Sequence, residues 1–342
     1  MTINRPTLRA AFALICGAMT VASPAVAWDH LPVLAYGRFG ADGGRGIRIE
    51  QFEAHLAEIT SGGWSVLPLS EALAALRERR TLPERSLAIT IDGTHESVFL
   101  EAWPRLKRAG LPATLFVTTN ALDRAVPGYM SWAQLREMAE SGIEIGSLTV
   151  AHPHLADQSP ARIAEELAQA RRRIEAEIGR PAAFFAYPYG EWNAGVRDAV
   201  VGSGHVAAFG QQSGVVHAGS DWWALPRFPM NEAQGGMTRF LVAINALPLP
   251  VTGLEPADPA LSSARPEIGF TVEPAVGALD RLACFASNET GPLDLDIDGR
   301  RVAVRLARDL PAGRTRVNCT VPGPDGHWRW LGLQLHLAKG GQ

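Results

Sequence analysis

Between residues 31 and 247, short apolar and β-branched runs alternate with segments of helical periodicity, a pattern buried most simply by an α/β architecture. Strands are predicted at 32–36, 86–91, 113–118, 143–147, 183–187 and 205–209, with helices at 49–60, 70–78, 97–108, 131–141 and 160–178 between them. The last helix carries its own boundaries. Ser159 is placed to cap it, Pro160 sits in the first turn, Gly179 ends it, and Ile163, Leu167, Ile174 and Ile178 form one apolar stripe. Its Arg171-Arg172-Arg173 run reads as a solvated face balanced by Glu165, Glu166, Glu175 and Glu177.

The helical period stops after residue 247. Residues 248–266 carry Pro248, Pro250, Pro256, Pro259 and Pro266 among small polar residues, which predicts a linker of restricted flexibility. From 267 to 342, short alternating runs separated by Gly, Pro, Asn and Asp predict a small all-β, sandwich-like domain. Trp328 and Trp330 alternate along one of its strands and so share a side, either as sandwich core or as a carbohydrate platform.

Composition narrows the partners. A formal net charge of −3 over 342 residues, with no basic stripe, argues against nucleic acid and favours an uncharged polymer or small molecule. Residues 1–27 read as a signal peptide: Arg5 and Arg9 precede an apolar run at 10–22, and Ala25-Val26-Ala27 form a small-residue cleavage site. That run falls short of the roughly 20 residues of a membrane span, so the expectation is an exported, periplasmic or extracellular protein with no span after cleavage. Export leaves Cys284 and Cys319 as an even pair, predicted to form a disulfide.

The chemistry-bearing segment is Ala88-Ile89-Thr90-Ile91-Asp92-Gly93-Thr94-His95-Glu96-Ser97, a buried strand ending at a carboxylate. Carboxylates at strand C-termini are where α/β barrels keep their active sites, although an Asp there also serves simply as a cap. Further along come Gly146-Ser147-Leu148-Thr149-Val150-Ala151-His152-Pro153-His154, Phe185-Ala186-Tyr187-Pro188-Tyr189-Gly190 and Asp221-Trp222-Trp223-Ala224-Leu225-Pro226-Arg227. In this order, and behind the entry strand that contains Tyr36 and Gly37, the segments resemble the NodB-like polysaccharide deacetylases of carbohydrate esterase family four. The resemblance spans about residues 31–245 and implies a distorted (β/α) barrel of about seven strands.

For function, the resemblance implies hydrolysis of the N-acetyl groups of a glycan, with Asp92 as general base and a divalent metal such as zinc held by one Asp and two His. Here Gly93 stands at the metal-binding Asp and Leu148 at the first His, so His152 alone is retained; His95, Glu96 and His154 are the neighbours able to replace what is missing. Ala186 occupies the place of an Arg that orients the base, and no segment supplying a general acid is evident. A catalytic zinc takes three protein ligands and an open position, so one imidazole does not make a site. The groove implied for an N-acetylated polysaccharide is formed by Tyr187, Pro188, Tyr189, Trp192, Asp221, Trp222, Trp223 and Arg227. Three outcomes therefore stay open: a metal-dependent deacetylase with a rebuilt site, a pseudoenzyme that keeps the groove and binds the glycan without turnover, or a structural or interaction role carried by the β-rich tail with the barrel as scaffold.

Overall fold

The computed structural model describes residues 1–2, 28–40, 43–44, 46–323 and 326–338; the leader read at 1–27 lies almost wholly outside them. Six of the predicted strands form one curled sheet in the order Ala207–Phe209, Phe184–Ala186, Glu144–Ser147, Thr114–Val117, Ser86–Asp92 and His30–Tyr36, all neighbours parallel. Parallel neighbours require crossovers, and the helices Ile49–Ser61, Leu69–Arg77, Trp132–Glu140 and Pro160–Ile178 supply them, each within two residues of its predicted bounds. The helix predicted at 97–108 splits into a π turn, Val98–Ala102, and an α-helix, Trp103–Ala109; Pro104 lacks the N–H that a continuous ladder would use.

The sheet is closed by residues 225–230. Gly210 N donates to Leu225 O at 3.0 Å and Leu225 N to Ala208 O at 2.8 Å on one side. On the other, Phe228–Pro229 pairs in parallel with the entry strand and Met230 N donates to Ala35 O at 2.8 Å. Residues 225–230 thus join the two edges of the sheet into a distorted barrel. The antiparallel strand Val215–His217 flanks the opposite half of the entry strand.

Beyond the barrel, two sheets share one apolar core. Trp328–Leu337 and Gly313–Pro322 pair along their full length, with Ala283–Ala286 beside them. Ile268–Val272, Arg301–Arg305 and Asp294–Asp298 build the facing sheet, and Phe270, Val272, Val302, Val317 and Cys319 fill the interior. Cys284 and Cys319 lie directly opposite each other and form a disulfide.

The Pro-rich stretch departs from the expected linker. Leu247–Pro248 and Ala260–Leu261 pair with the strand Trp328–Leu337, and Val251–Glu255 pairs with Ile268–Val272, so this stretch is woven into both tail sheets. The tail is also fastened to the barrel. A Cβ on Gly332 would lie 2.0 Å from Ser213 O, so only glycine permits the backbones to approach this closely. Trp330 meets Phe228 edge-on at 5.4 Å and donates from Nε1 to Asn318 Oδ1 at 3.1 Å. It therefore packs against the barrel and not in the sandwich core, while Trp328 points outward, 39% exposed.

Two stability predictions follow from these contacts. The disulfide closes a loop with a sequence separation of 35, so Cys284→Ser/Cys319→Ser should lower unfolding free energy by roughly 3 kcal/mol, read from denaturant midpoints. Second, His55 is fully buried: Nε2–H donates to Gly235 O at 2.8 Å, Tyr36 O–H donates to Nδ1 at 3.0 Å, and its ring stacks on Phe240. Burial lowers its pKa from 6.5 to about 4, so the neutral ring's contribution is complete above pH 6.5 and is lost as pH falls toward 4. A shift of that size corresponds to about 3 kcal/mol; melting temperatures across this window should fall less steeply in His55→Gln than in the parent chain.

Candidate functional site

Asp92 ends its strand with the carboxylate turned into the barrel mouth, its side chain 14% exposed. Arg227, at the centre of the closing segment, meets it with a two-pronged fork: Nη1 donates to Oδ1 at 2.7 Å and Nη2 to Oδ2 at 2.8 Å. The guanidinium has no exposure to solvent. Nε donates to Gly210 O at 3.0 Å, Nη1 also reaches Thr90 Oγ1 at 3.1 Å, and the Phe116 and Phe209 rings lie 5.3 and 5.7 Å away. A buried cation persists only when paired, and this bidentate geometry is the strongest pairing an Arg makes.

Arg227 was expected in an open groove; the structure instead places it inside the barrel wall, holding the carboxylate that Ala186 cannot reach. One sequence signal pointed to it, a lone charge within the otherwise apolar run Leu225-Pro226-Arg227-Phe228-Pro229-Met230. The fork leaves part of the carboxylate open, since a carboxylate offers about four lone-pair directions and Arg227 takes two. Gln211 Nε2 approaches Oδ2 at 3.5 Å.

The positions expected to hold a metal are differently arranged. Gly93 has φ +92°, a backbone conformation that L side chains rarely adopt, so an Asp there would be strained even though the space around it is open. Leu148 is 1% exposed and packs into the barrel core. His95 Nδ1 accepts from Ser97 N at 3.2 Å and lies 2.8 Å from Ser97 Oγ, its ring edge-on to Tyr129, while Glu96 is exposed. His154 Nδ1 pairs with the buried Glu191 carboxylate at 2.6 Å. Among the described residues no group of three His, Cys, Asp or Glu side chains is arranged to hold a metal ion, so the residues present do not fit the family's divalent metal.

His152 remains beside Asp92. Its backbone sits at φ +57° and its N–H donates to Thr149 Oγ1 at 3.0 Å; Thr149 itself has φ +67°. Burial lowers the His152 pKa against the opposing pull of the Asp92 charge, and the ring is held neutral. Glu166 fixes this strained loop from below: its Oε2 accepts from Val150 N at 2.8 Å and Ala151 N at 2.9 Å. Glu166 is wholly buried and also paired with Arg162, so it belongs to the site and not to the solvated face predicted for it.

Tyr189 covers the two histidines, stacked on His154 at 4.1 Å and edge-on to His152 at 4.5 Å. Its backbone is left-handed at φ +59°, and its carbonyl accepts from Arg314 Nη1 at 2.7 Å and Gln334 Nε2 at 3.0 Å, both from the tail. The other aromatics do not form one groove. Tyr187 is fully buried and donates its hydroxyl to Trp223 O at 2.9 Å, Pro188 is buried, and Trp223 packs on the same apolar cluster. Trp222 lies beneath Arg77 at 4.4 Å, and Trp192 and Asp221 face a cavity between barrel and tail.

The Arg227–Asp92 pair yields a quantitative prediction. Arg227→Met leaves a carboxylate without its counterion and should cost about 3–5 kcal/mol, whereas Arg227→Met combined with Asp92→Leu should recover much of that loss. Denaturant unfolding of the four chains of the cycle checks this; additive losses would mean that the pair is not coupled.

Residues 79–208 match the family described as Polysaccharide deacetylase. The chain is 24% identical over 206 residues to YxkH of Bacillus subtilis (strain 168), covering 60% of this chain and 73% of that protein. It is 24% identical over 194 residues to the poly-beta-1,6-N-acetyl-D-glucosamine N-deacetylase of Staphylococcus aureus (strain MSSA476), covering 53% and 67%. The deacetylase PplD of Streptococcus pyogenes, solved in complex with acetate, shares the fold with a TM-score of 0.59 at 19% identity over 63% of this chain and 98% of its own. With the barrel, the ordered motifs and this match in agreement, the chain carries a polysaccharide deacetylase domain of the NodB-like type.

Proposed function

We propose that this protein is an exported member of the polysaccharide deacetylases that recognises an N-acetylated polysaccharide at the barrel mouth without metal-assisted hydrolysis. The observation that carries this reading is the pair of residues beside Asp92: Gly93 and the buried Leu148 stand where ligands are needed. A nucleophilic water near neutral pH is activated most readily by a metal, and the mouth offers one carboxylate bonded to Arg227 and a neutral imidazole but no ligand set. What it retains suits hydrogen bonding: open lone pairs on Asp92, the His152 ring and the Tyr189 face, a mixture of polar edges and aromatic surface that sugars use. The Staphylococcus aureus relative supports a poly-N-acetylglucosamine as the class of glycan.

Export rests on the leader pattern at 1–27 and on the disulfide, which persists in oxidising compartments. Among the described residues no helix is long and apolar enough to cross a membrane.

A second reading, hydrolysis with Asp92 as base, is favoured by the placement of the carboxylate at the strand end beside a neutral His152. One experiment separates the two: metal content after dialysis against trace-metal-free buffer, then acetate release from poly-β-1,6-N-acetylglucosamine oligomers with and without added zinc or cobalt. The expected result is no retained metal, no acetate, and saturable binding of the oligomers that weakens in Asp92→Asn. Acetate release that Asp92→Asn abolishes would overturn recognition without turnover and establish Asp92 as the base.

A further inference from the structure

Away from Asp92, the barrel and the tail enclose a cavity of about 420 Å³, within the range of small-molecule sites. Its barrel wall includes Trp192, Arg197, His217 and Asp221, and its tail wall includes Thr252 and Trp330. The bend that follows the strand Ala207–Phe209 borders both sites: Gln211 turns toward Asp92, whereas Gln212 lines the cavity and donates to Ala224 O at 2.6 Å.

The walls are fixed relative to each other. Besides the glycine-only approach of Gly332 to Ser213, Asp258 Oδ2 accepts from Ala194 N at 3.1 Å, tying the Pro-rich stretch to the start of the helix Ala194–Gly202. A cavity between elements so joined is preformed, which removes part of the ordering cost of binding.

Its chemistry selects the ligand. Arg197 Nη2 donates to Asp221 Oδ1 at 2.9 Å, and both side chains are partly open to solvent, 37% and 41% exposed. The paired charges cancel, so the wall offers a donor and an acceptor side by side with no net field, which disfavours phosphates and carboxylates. Indole rings from both walls supply apolar surface beside these polar groups. Burial lowers the His217 pKa, leaving a third neutral hydrogen-bonding group on the lining.

We propose that this cavity between barrel and tail is a second saccharide-binding site, taking one or two rings of a neutral sugar against Trp192 and Trp330 with hydroxyls or an acetamide on the Arg197–Asp221 pair. It combines residues from both units, so neither half of the chain carries it alone. Its occupancy does not depend on what the barrel mouth binds.

The test uses the full chain labelled with 5-fluorotryptophan, the Trp192 and Trp330 ¹⁹F resonances being assigned by Trp→Phe variants. N,N′-diacetylchitobiose is the probe. Saturable shifts of both resonances are expected, reduced at least tenfold in apparent affinity by Thr252→Phe, which fills the cavity from an exposed strand position, and by Arg197→Ala, which removes the paired donor. Asp92→Asn should leave these two shifts unchanged; its effect, if any, is read on binding of the longer poly-β-1,6-N-acetylglucosamine oligomers, so failure at one site is distinguishable from failure at the other. Melting curves confirm that each variant is folded. Absence of any shift at millimolar disaccharide, or shifts that persist undiminished in both folded cavity variants, would overturn the proposal.

Discussion

The Arg227–Asp92 pair is the constraint around which the barrel is organised. Arg227 comes from the segment that closes the sheet and Asp92 from a central strand, so the pair spans the interior and fixes both ends in one register. A buried ion pair adds little stability over an apolar replacement, but once its desolvation has been incurred neither partner tolerates loss of the other. The closing segment therefore cannot slide without exposing a charge to the apolar rings of Phe116 and Phe209. The same contact gives Asp92 a permanent counterion and fixes the orientation of its carboxylate at the mouth.

Backbone strain is concentrated around that mouth. Gly93, Thr149, His152 and Tyr189 all have positive φ, and the last three are not glycine. Conformations of this kind cost about 1–3 kcal/mol each and persist only where surrounding contacts fix them. Here the fixing groups come from separate parts of the molecule: Glu166 from a barrel helix holds the His152 loop, while Arg314 and Gln334 from the tail hold the Tyr189 carbonyl. The tail is thus part of the mouth's architecture, and the gap left where it docks is the cavity lined by Trp192 and Trp330.

Much of the fold was legible in the residue pattern. Six predicted strands and four of the five predicted helices of the barrel fell within about two residues of their expected bounds, because burial of one face imposes a period on neighbouring residues, whereas the helices Ala194–Gly202 and Met237–Ile244 went unpredicted. The cysteine pair was legible for a similarly simple reason, an even number in a chain expected to be exported. Less legible was the Pro-rich stretch, whose composition suits a linker but whose short strands form because the tail sheets offer edges to pair with. The aromatic cluster misled in another way: Tyr187, Trp192, Trp222 and Trp223 are close in two loop segments, yet Tyr187 and Trp223 pack in one apolar cluster, Trp192 lines a cavity and Trp222 lies under Arg77.

By itself, then, the sequence determined the α/β alternation, the order of the motifs and the presence of Gly93 and Leu148 within them, since each is a property of residues adjacent in the chain. Only the tertiary structure decided that Asp92 is paired with Arg227, that Glu166 is buried beneath the His152 loop, and that barrel and tail enclose a cavity. Arg227 and Asp92 are 135 residues apart, and no local periodicity records a partner at that distance. Their contact exists because closing the barrel brings a charged side chain into an apolar interior, where one carboxylate is positioned to receive it.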